Sequence, residues 1–135
     1  MIVVDAGLWA LTLTSDTPEA TAARMILTDD SHWIMPAHGP VETLRTIRRF
    51  EAAGYLSDEE AAAAVRELCR AEIATAQPEA WLLQEIWKLR HNVSPYDAAY
   101  VALARRFTCP LITFDKRHAR AATDAGVDAT VPHAA

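Results

Sequence analysis

Four acidic residues stand where the sequence pattern places the ends of elements rather than solvent faces: Asp5, Glu42, Asp97 and Asp115. Asp5 closes the apolar run Ile2-Val3-Val4, and Asp115 closes Leu111-Ile112-Thr113-Phe114. Asp97 falls at the third position of a helix whose N-cap is Ser94 and whose first residue is Pro95. Glu42 falls in the first turn of a helix opened by Gly39-Pro40. In an open parallel α/β sheet the carboxyl ends of the strands share one crevice. Asp5 and Asp115 then point into it, and a helix starting at that edge brings Asp97 to the same place. Helix N-termini stabilise carboxylates as anions, but converging anions repel unless a cation lies between them. A hard divalent ion such as Mg²⁺ takes oxygen ligands, usually one or two carboxylates with water and substrate phosphate. Such a site clamps a phosphodiester for in-line hydrolysis. Each acid alone has a plainer reading: Asp97 completes a Ser94 cap, Glu42 answers a helix dipole, and Asp115 caps the helix after it. Together, the four point to metal-assisted phosphoester chemistry.

Composition narrows the alternatives. The chain has 135 residues, half of them apolar, which suits one domain spanning 1–135. A net charge of −5 argues against a globally basic nucleic-acid binder but leaves local contact open. Arg90, Arg105, Arg106, Lys116, Arg117 and Arg120 face only Asp97 and Asp115 within one stretch. Lys116, Arg117 and Arg120 directly follow an acid of the site and suit phosphate contact. Cys69 and Cys109 are expected to be free and buried in a reducing compartment, and two cysteines alone cannot build a structural zinc site. His38 and Glu42 are four apart, yet the intervening Gly39-Pro40 argues against a shared helical face. His91 and His118 read as surface residues, with phosphate contact open to either. There is no Walker-type loop, GxGxxG or GxSxG. Gly7 removes the DxD spacing that one phosphoryl-transfer class would need. The N-terminus lacks a basic region before its apolar run, and no apolar run approaches the ~20 residues of a membrane helix. The expectation is a soluble cytoplasmic protein with no membrane partner. The four tryptophans are expected to pack in the core; an exposed one would mark a partner surface.

The elements that must position these acids alternate. Strands are expected at 1–5, 33–35, 111–114 and 127–131, with a further one possible within 72–77. Helices are expected from Pro18 to about Thr28, from Gly39 to a C-cap at Gly54, at 59–70, from Pro78 to Leu89, from Pro95 to Phe107 and at 116–125; a short helix or turn covers Gly7–Thr14. Val41, Leu44, Ile47 and Phe50 are assigned to the core side of their helix, and Tyr96, Ala99, Tyr100, Leu103 and Phe107 to the apolar face of theirs. Ser57-Asp58-Glu59-Glu60 is a capping box, with Leu56 as its staple. Alternation without hairpin turns predicts α/β architecture with a parallel central sheet flanked by helices.

Ser94-Pro-Tyr-Asp97-Ala-Ala-Tyr100-Val-Ala-Leu-Ala104, then Leu111-Ile-Thr113-Phe-Asp115, together with Met1-Ile-Val-Val-Asp5-Ala and the Glu42 helix ending in Arg48-Arg49, resemble the PIN-domain ribonucleases, specifically the small VapC-type toxins of bacterial toxin–antitoxin pairs. The resemblance covers nearly the whole chain and implies a PIN-like three-layer sandwich. It implies a catalytic set of Asp5, Glu42, Asp97 and Asp115 with Mg²⁺, Mn²⁺ being possible. Asp5 and Asp97 would be the closest metal ligands; Glu42 and Asp115 would act directly or through water. Thr113 would hydrogen-bond within the site. Arg48, Lys116, Arg117 and Arg120 would hold RNA, tRNA or another structured RNA among the candidates. A homodimer and a cognate antitoxin covering the cleft are also implied. The alternative is an inactive PIN-fold module that binds a protein or RNA. The chain departs from the family at Gly7 and Pro40, where polar residues are usual.

Overall fold

A computed structural model of the chain describes residues 1–134. In chain order the elements are β1 (Ile2–Val4), α1 (Ala6–Thr14), α2 (Pro18–Asp29), β2 (Trp33–Pro36), α3 (Gly39–Ala52), α4 (Asp58–Arg70), β3 (Ala74–Ala76), α5 (Ala80–Lys88), α6 (Pro95–Phe107), β4 (Leu111–Ile112), α7 (Lys116–Asp124) and β5 (Ala129–Thr130). Local chemistry sets many of these boundaries. Thr17 and Ser94 each accept a backbone N–H from the first turn of the proline-opened helix that follows. Ser57 and Glu60 cap α4 reciprocally, and Leu56 is buried beneath it. Glycines at positive φ follow the ends of α3 and α7, Gly54 at +84° and Gly126 at +81°. The α6 terminus differs: Thr108 takes the left-handed conformation, with φ 49°, before Pro110 redirects the chain.

All four strand pairings are parallel, in the order β3-β2-β1-β4-β5. Chain order therefore runs outward from β1 in one direction through β2 and β3, and in the other through β4 and β5. The reversal lies between β1 and β4, where the carboxyl ends of adjacent strands open a crevice. Ile2, Val3 and Val4 are all buried although successive side chains point to opposite faces, so β1 is covered on both sides. That makes the α/β fold a three-layer sandwich. Its main core joins β1, β2 and β4 to α1 and α6 through Val3, Leu8, Met35, Tyr100, Leu103 and Leu111. A smaller core of Ala10, Ile47, Leu56, Ala61 and Ala64 locks α1, α3 and α4 together. No described helix is long and apolar enough to cross a membrane.

The structure corrects several expectations. Pro36 is itself the last residue of β2 rather than the first beyond it, and β4 stops at Ile112. On α3 only Ile47 of the proposed core stripe is fully buried; Val41 and Leu44 are exposed. The start of α3 lies at the mouth of the crevice rather than over the sheet, which leaves its first apolar side chains without cover. Tyr96 and Phe107 are likewise exposed at the two ends of α6. Cys69 is free and exposed; Cys109 is free and half-buried. Trp87 is exposed, whereas Trp9 is buried.

Gly39 lets α3 approach β2. A Cβ there would lie 2.8 Å from both Cβ and Cε of Met35, whereas one at Gly7 would meet nothing within 4 Å. Gly39→Ala should therefore destabilise the fold by about 1–3 kcal/mol through overpacking. Gly7→Ala should be neutral or stabilising by up to about 1 kcal/mol, from helix propensity. Urea denaturation of the two variants checks the contrast; equal effects would remove the packing argument.

Candidate active site

The crevice between β1 and β4 collects carboxylates, each held differently. Asp5 occupies the N-cap position of α1, but its side chain makes no capping bond. Instead its Oδ2 accepts the Thr113 hydroxyl at 2.6 Å and lies 3.5 Å from Nδ1 of His118. The Thr113 hydroxyl also accepts the backbone N–H of Asp115 at 3.0 Å. Thr113 is fully buried, so this one side chain ties the ends of β1 and β4 together and fixes the rotamer of Asp5. Asp115 is an N-cap of α7, accepting the N–H groups of Arg117 and His118, and it remains exposed.

Asp97 sits in the first turn of α6, where its N–H reaches Oγ of Ser94 at 3.3 Å. The reciprocal half of a capping box is not formed, so the carboxylate is not committed to the cap. Half-burial pushes its pKa up; the charges of Asp5 and Asp115 add to the rise, while His118 and His38 oppose it. Asp97 thus carries a negative charge that the protein alone does not fully compensate.

Glu42 projects from the first turn of α3. Its Oε1 accepts the Tyr100 hydroxyl at 2.7 Å and lies 3.6 Å from Nε2 of His38. His38 therefore shares the start of α3 with Glu42 despite the intervening Gly39-Pro40, because those two residues begin the helix rather than interrupt it. His38 also packs edge-on against Tyr96 and Tyr100, with centroids 5.3 and 5.8 Å away. His118, expected at the surface, is buried: Nε2 meets the Asp97 carbonyl at 2.9 Å, and its ring packs edge-on against Tyr100 at 5.7 Å. Burial alone would lower the His118 pKa. Its pairing with Asp5 and the charges of Asp5 and Asp97 outweigh that, and the pKa rises above the usual value. Burial, then Glu42, push the Tyr100 hydroxyl far up, so it is a fixed donor. Tyr100, His118 and His38 were the side chains that spacing alone did not place in the site. Tyr100 falls on an apolar helical stripe, and no local motif marks the histidines.

A cleft of about 400 Å³ fronts this cluster, lined by His38, Val41, Glu42, Arg45, Tyr96 and Asp97 among others. Arg45 lies one helical turn beyond Glu42 and reaches it. Arg48 instead lines a separate hollow between α3 and α4. Lys116, Arg117 and Arg120 are exposed on α7, beside Asp115.

Among the described residues no three His, Cys, Asp or Glu side chains come together closely enough to form a cage for a metal. Mg²⁺ seldom uses such a cage; it keeps several waters and takes one or two carboxylates. Two carboxylates at the switch point, one of them half-buried and repelled by its neighbours, fit a hydrated hard cation. They do not fit a site of zinc type, which needs three or four protein ligands.

Comparison with known proteins identifies relatives in sequence and in fold. The PIN domain family model matches residues 2–124. Ribonuclease VapC9 of Mycobacterium tuberculosis is 33% identical over 117 residues, covering 87% of each chain. Ribonuclease VapC3 of the same species is 36% identical over 122 residues, covering 89% of this chain and 86% of the other. The fold is shared with M. tuberculosis VapC20, described as a sarcin–ricin loop cleaving toxin, at TM-score 0.68 and 20% identity over 94% of this chain and 96% of that one. It is also shared with FitAcB of Neisseria gonorrhoeae, at TM-score 0.66 and 14% identity over 96% of both.

Since the folded-state pKa of Asp97 is raised, ionising it opposes folding. The penalty is absent below the unfolded-state value and grows as pH rises through the folded one. Asp97→Asn should therefore raise the melting temperature at pH 7 in EDTA, with the gain shrinking toward pH 4. Thermal melts at both pH values check this; a gain independent of pH would mean that charge is not its cause.

Proposed function

The chain belongs to the PIN domain family, among its VapC-type members, and from that premise we propose that it is a divalent-metal-dependent endoribonuclease, the toxin of a toxin–antitoxin pair. The observation that carries the chemistry is Asp97, destabilised as an anion by burial and by the charges of Asp5 and Asp115, in an open cleft that it lines together with Glu42. Asp5 and Asp97 would hold Mg²⁺, or Mn²⁺ in its place. When bound, the cation neutralises phosphoryl oxygens and lowers the pKa of water.

The remaining steps belong to this chain's own groups. Thr113 and His118 hold Asp5 in one orientation through the same oxygen, which leaves its other oxygen for the cation. Tyr100 donates to one oxygen of Glu42 and leaves the other for water. Glu42 and Asp115 orient that water for in-line attack, which leaves a 5′-phosphate and a 3′-hydroxyl. Arg45 extends the set of phosphate contacts proposed for Lys116, Arg117 and Arg120, and Arg48 would serve only an RNA that leaves the cleft across α3. Tyr96, 62% exposed at the cleft wall, offers a ring on which a base can stack.

The same reading extends to partners. A cognate antitoxin would act by covering this cleft. A second copy would cover the apolar hollow lined by Pro78, Leu82, Leu83, Ile86 and Tyr96. The domain would act as a unit over 1–135 in the cytoplasm.

The test is cleavage of a structured RNA pool by the partner-free protein with Mg²⁺, Mn²⁺ or EDTA. Fragments should form with either metal, vanish in EDTA and vanish in Asp97→Asn. Metal-independent cleavage, or cleavage retained in the variant, would sink the mechanism, and a protein that binds no Mn²⁺ would instead be a binding module. Tyr100→Phe should lower kcat by about tenfold or more, as expected for losing a hydrogen bond to a charged group worth about 1.5–3 kcal/mol. An unchanged kcat would show that Glu42 does not depend on it.

A further inference from the structure

A second basic surface lies between α5 and α6, away from the carboxylates. Trp81, Glu85 and Lys88 form one wall, and Ala102, Arg105 and Arg106 the other, around a groove of about 470 Å³. The α5 residues recur at i, i+4 and i+7, so they share one face. At about 100° per residue, Ala102 and Arg106 face roughly the opposite side of α6 from Asp97 and Tyr100, with Arg105 on the flank between. The groove is therefore not an extension of the cleft.

Its cations are arranged for something other than protein carboxylates. Lys88 pairs with Glu85 at 2.9 Å, but no ion pair among the described residues includes Arg90, Arg105 or Arg106. Within the groove Arg106 lies over the Trp81 ring at 5.6 Å; beyond its lining, Arg90 lies over the exposed Trp87 ring at 4.5 Å. A helix dipole explains a cation in the last turn of α6. It does not explain a guanidinium laid across to an indole on the neighbouring helix. Stacking fixes the guanidinium plane and leaves N–H donors on its edge, in the fork that matches phosphate oxygens. Aromatic rings interleaved with arginines in an open groove suit a nucleic-acid strand held without sequence preference.

We propose that this α5–α6 groove is a second RNA-contact surface, binding the phosphodiester backbone of the substrate at a distance from the scissile bond. The proposal rests on the ribonuclease reading and adds a constraint to it. Arg106 lies about 13.5 Å along α6 from Asp97 and on the far side of a helix about 10 Å wide. A folded RNA can reach both surfaces; a short oligonucleotide in the cleft cannot.

The experiment compares the wild-type sequence with Arg105→Ala/Arg106→Ala and Arg105→Lys/Arg106→Lys. Affinity for a structured RNA is read by fluorescence anisotropy across a salt series, in an Asp97→Asn background that prevents turnover. Cleavage of a short single-stranded oligonucleotide is measured with Asp97 intact. The alanine pair should weaken structured-RNA binding at least tenfold and reduce the salt slope by about 1.4–1.8, as expected for two lost phosphate contacts. It should leave oligonucleotide cleavage unchanged, and the lysine pair should keep most of the affinity. Structured-RNA binding with the same affinity and slope in the alanine pair would overturn the groove proposal alone. A changed oligomeric state with unchanged RNA affinity would do the same and assign the groove to a second copy. Absence of RNA binding and of any cleavage by the wild-type chain would overturn the ribonuclease reading and this proposal with it.

Discussion

Holding several carboxylates at one sheet edge against their mutual repulsion is the constraint on which the rest of this structure depends. Two neutral hydroxyl donors and one histidine make it possible. Thr113 gives its proton to Asp5 and takes one from the Asp115 amide, so a single buried hydroxyl registers β1 against the start of α7. Tyr100 does the same for Glu42, from the opposite wall of the cleft. His118 reaches Asp5 through one ring nitrogen and the Asp97 backbone through the other. Among the described residues, none of the four acids is neutralised by a lysine or arginine ion pair. The site is thus rigid but left electrostatically short of positive charge, which is the state in which adding a cation is most favourable.

The fold follows from where that edge must be. Parallel strands with β1 central and the direction of winding reversing beside it put Asp5 and the Thr113–Asp115 segment side by side. Burial of every residue of β1 requires helices on both faces, and α6 must start at the carboxyl edge for Asp97 to arrive. Gly39 matters for the same reason: Glu42 reaches Tyr100 only if α3 begins hard against Met35.

The four acids were legible in the sequence because apolar runs ending in aspartate, and caps with proline behind them, are local signals. So were the alternation of elements and most of their ends. What failed was long-range. Tyr100 and His118 belong to the site through contacts 58 and 21 residues away in sequence, to Glu42 and to the Asp97 carbonyl. Periodicity on one helix cannot report either contact. Val41 and Leu44 have correct helical spacing for a core stripe, yet Val41 projects at the lip of a cleft and Leu44 into the hollow between α3 and α4, neither of which a single helix reveals. The Arg45–Arg48 distinction has the same origin. Both are arginines on α3, but only the side chain one turn beyond Glu42 shares its wall, while the other faces α4.

An acidic chain acting on a polyanion is not a contradiction once distances are considered. At physiological salt the screening length is about 8 Å, so charge on one face contributes little at another. Much of the acidic surplus is spent on caps: Asp58, Glu59 and Glu60 crowd the first turn of α4, where the helix dipole favours them. Nine of the thirteen arginines and lysines lie on α3, α5, α6 and α7. Only Lys88 among those on α5, α6 and α7 is held by a carboxylate of the chain itself. Net charge therefore says little about what this surface binds. Which cations lack an internal partner says more, and here they border the cleft that holds the carboxylates and the groove behind it.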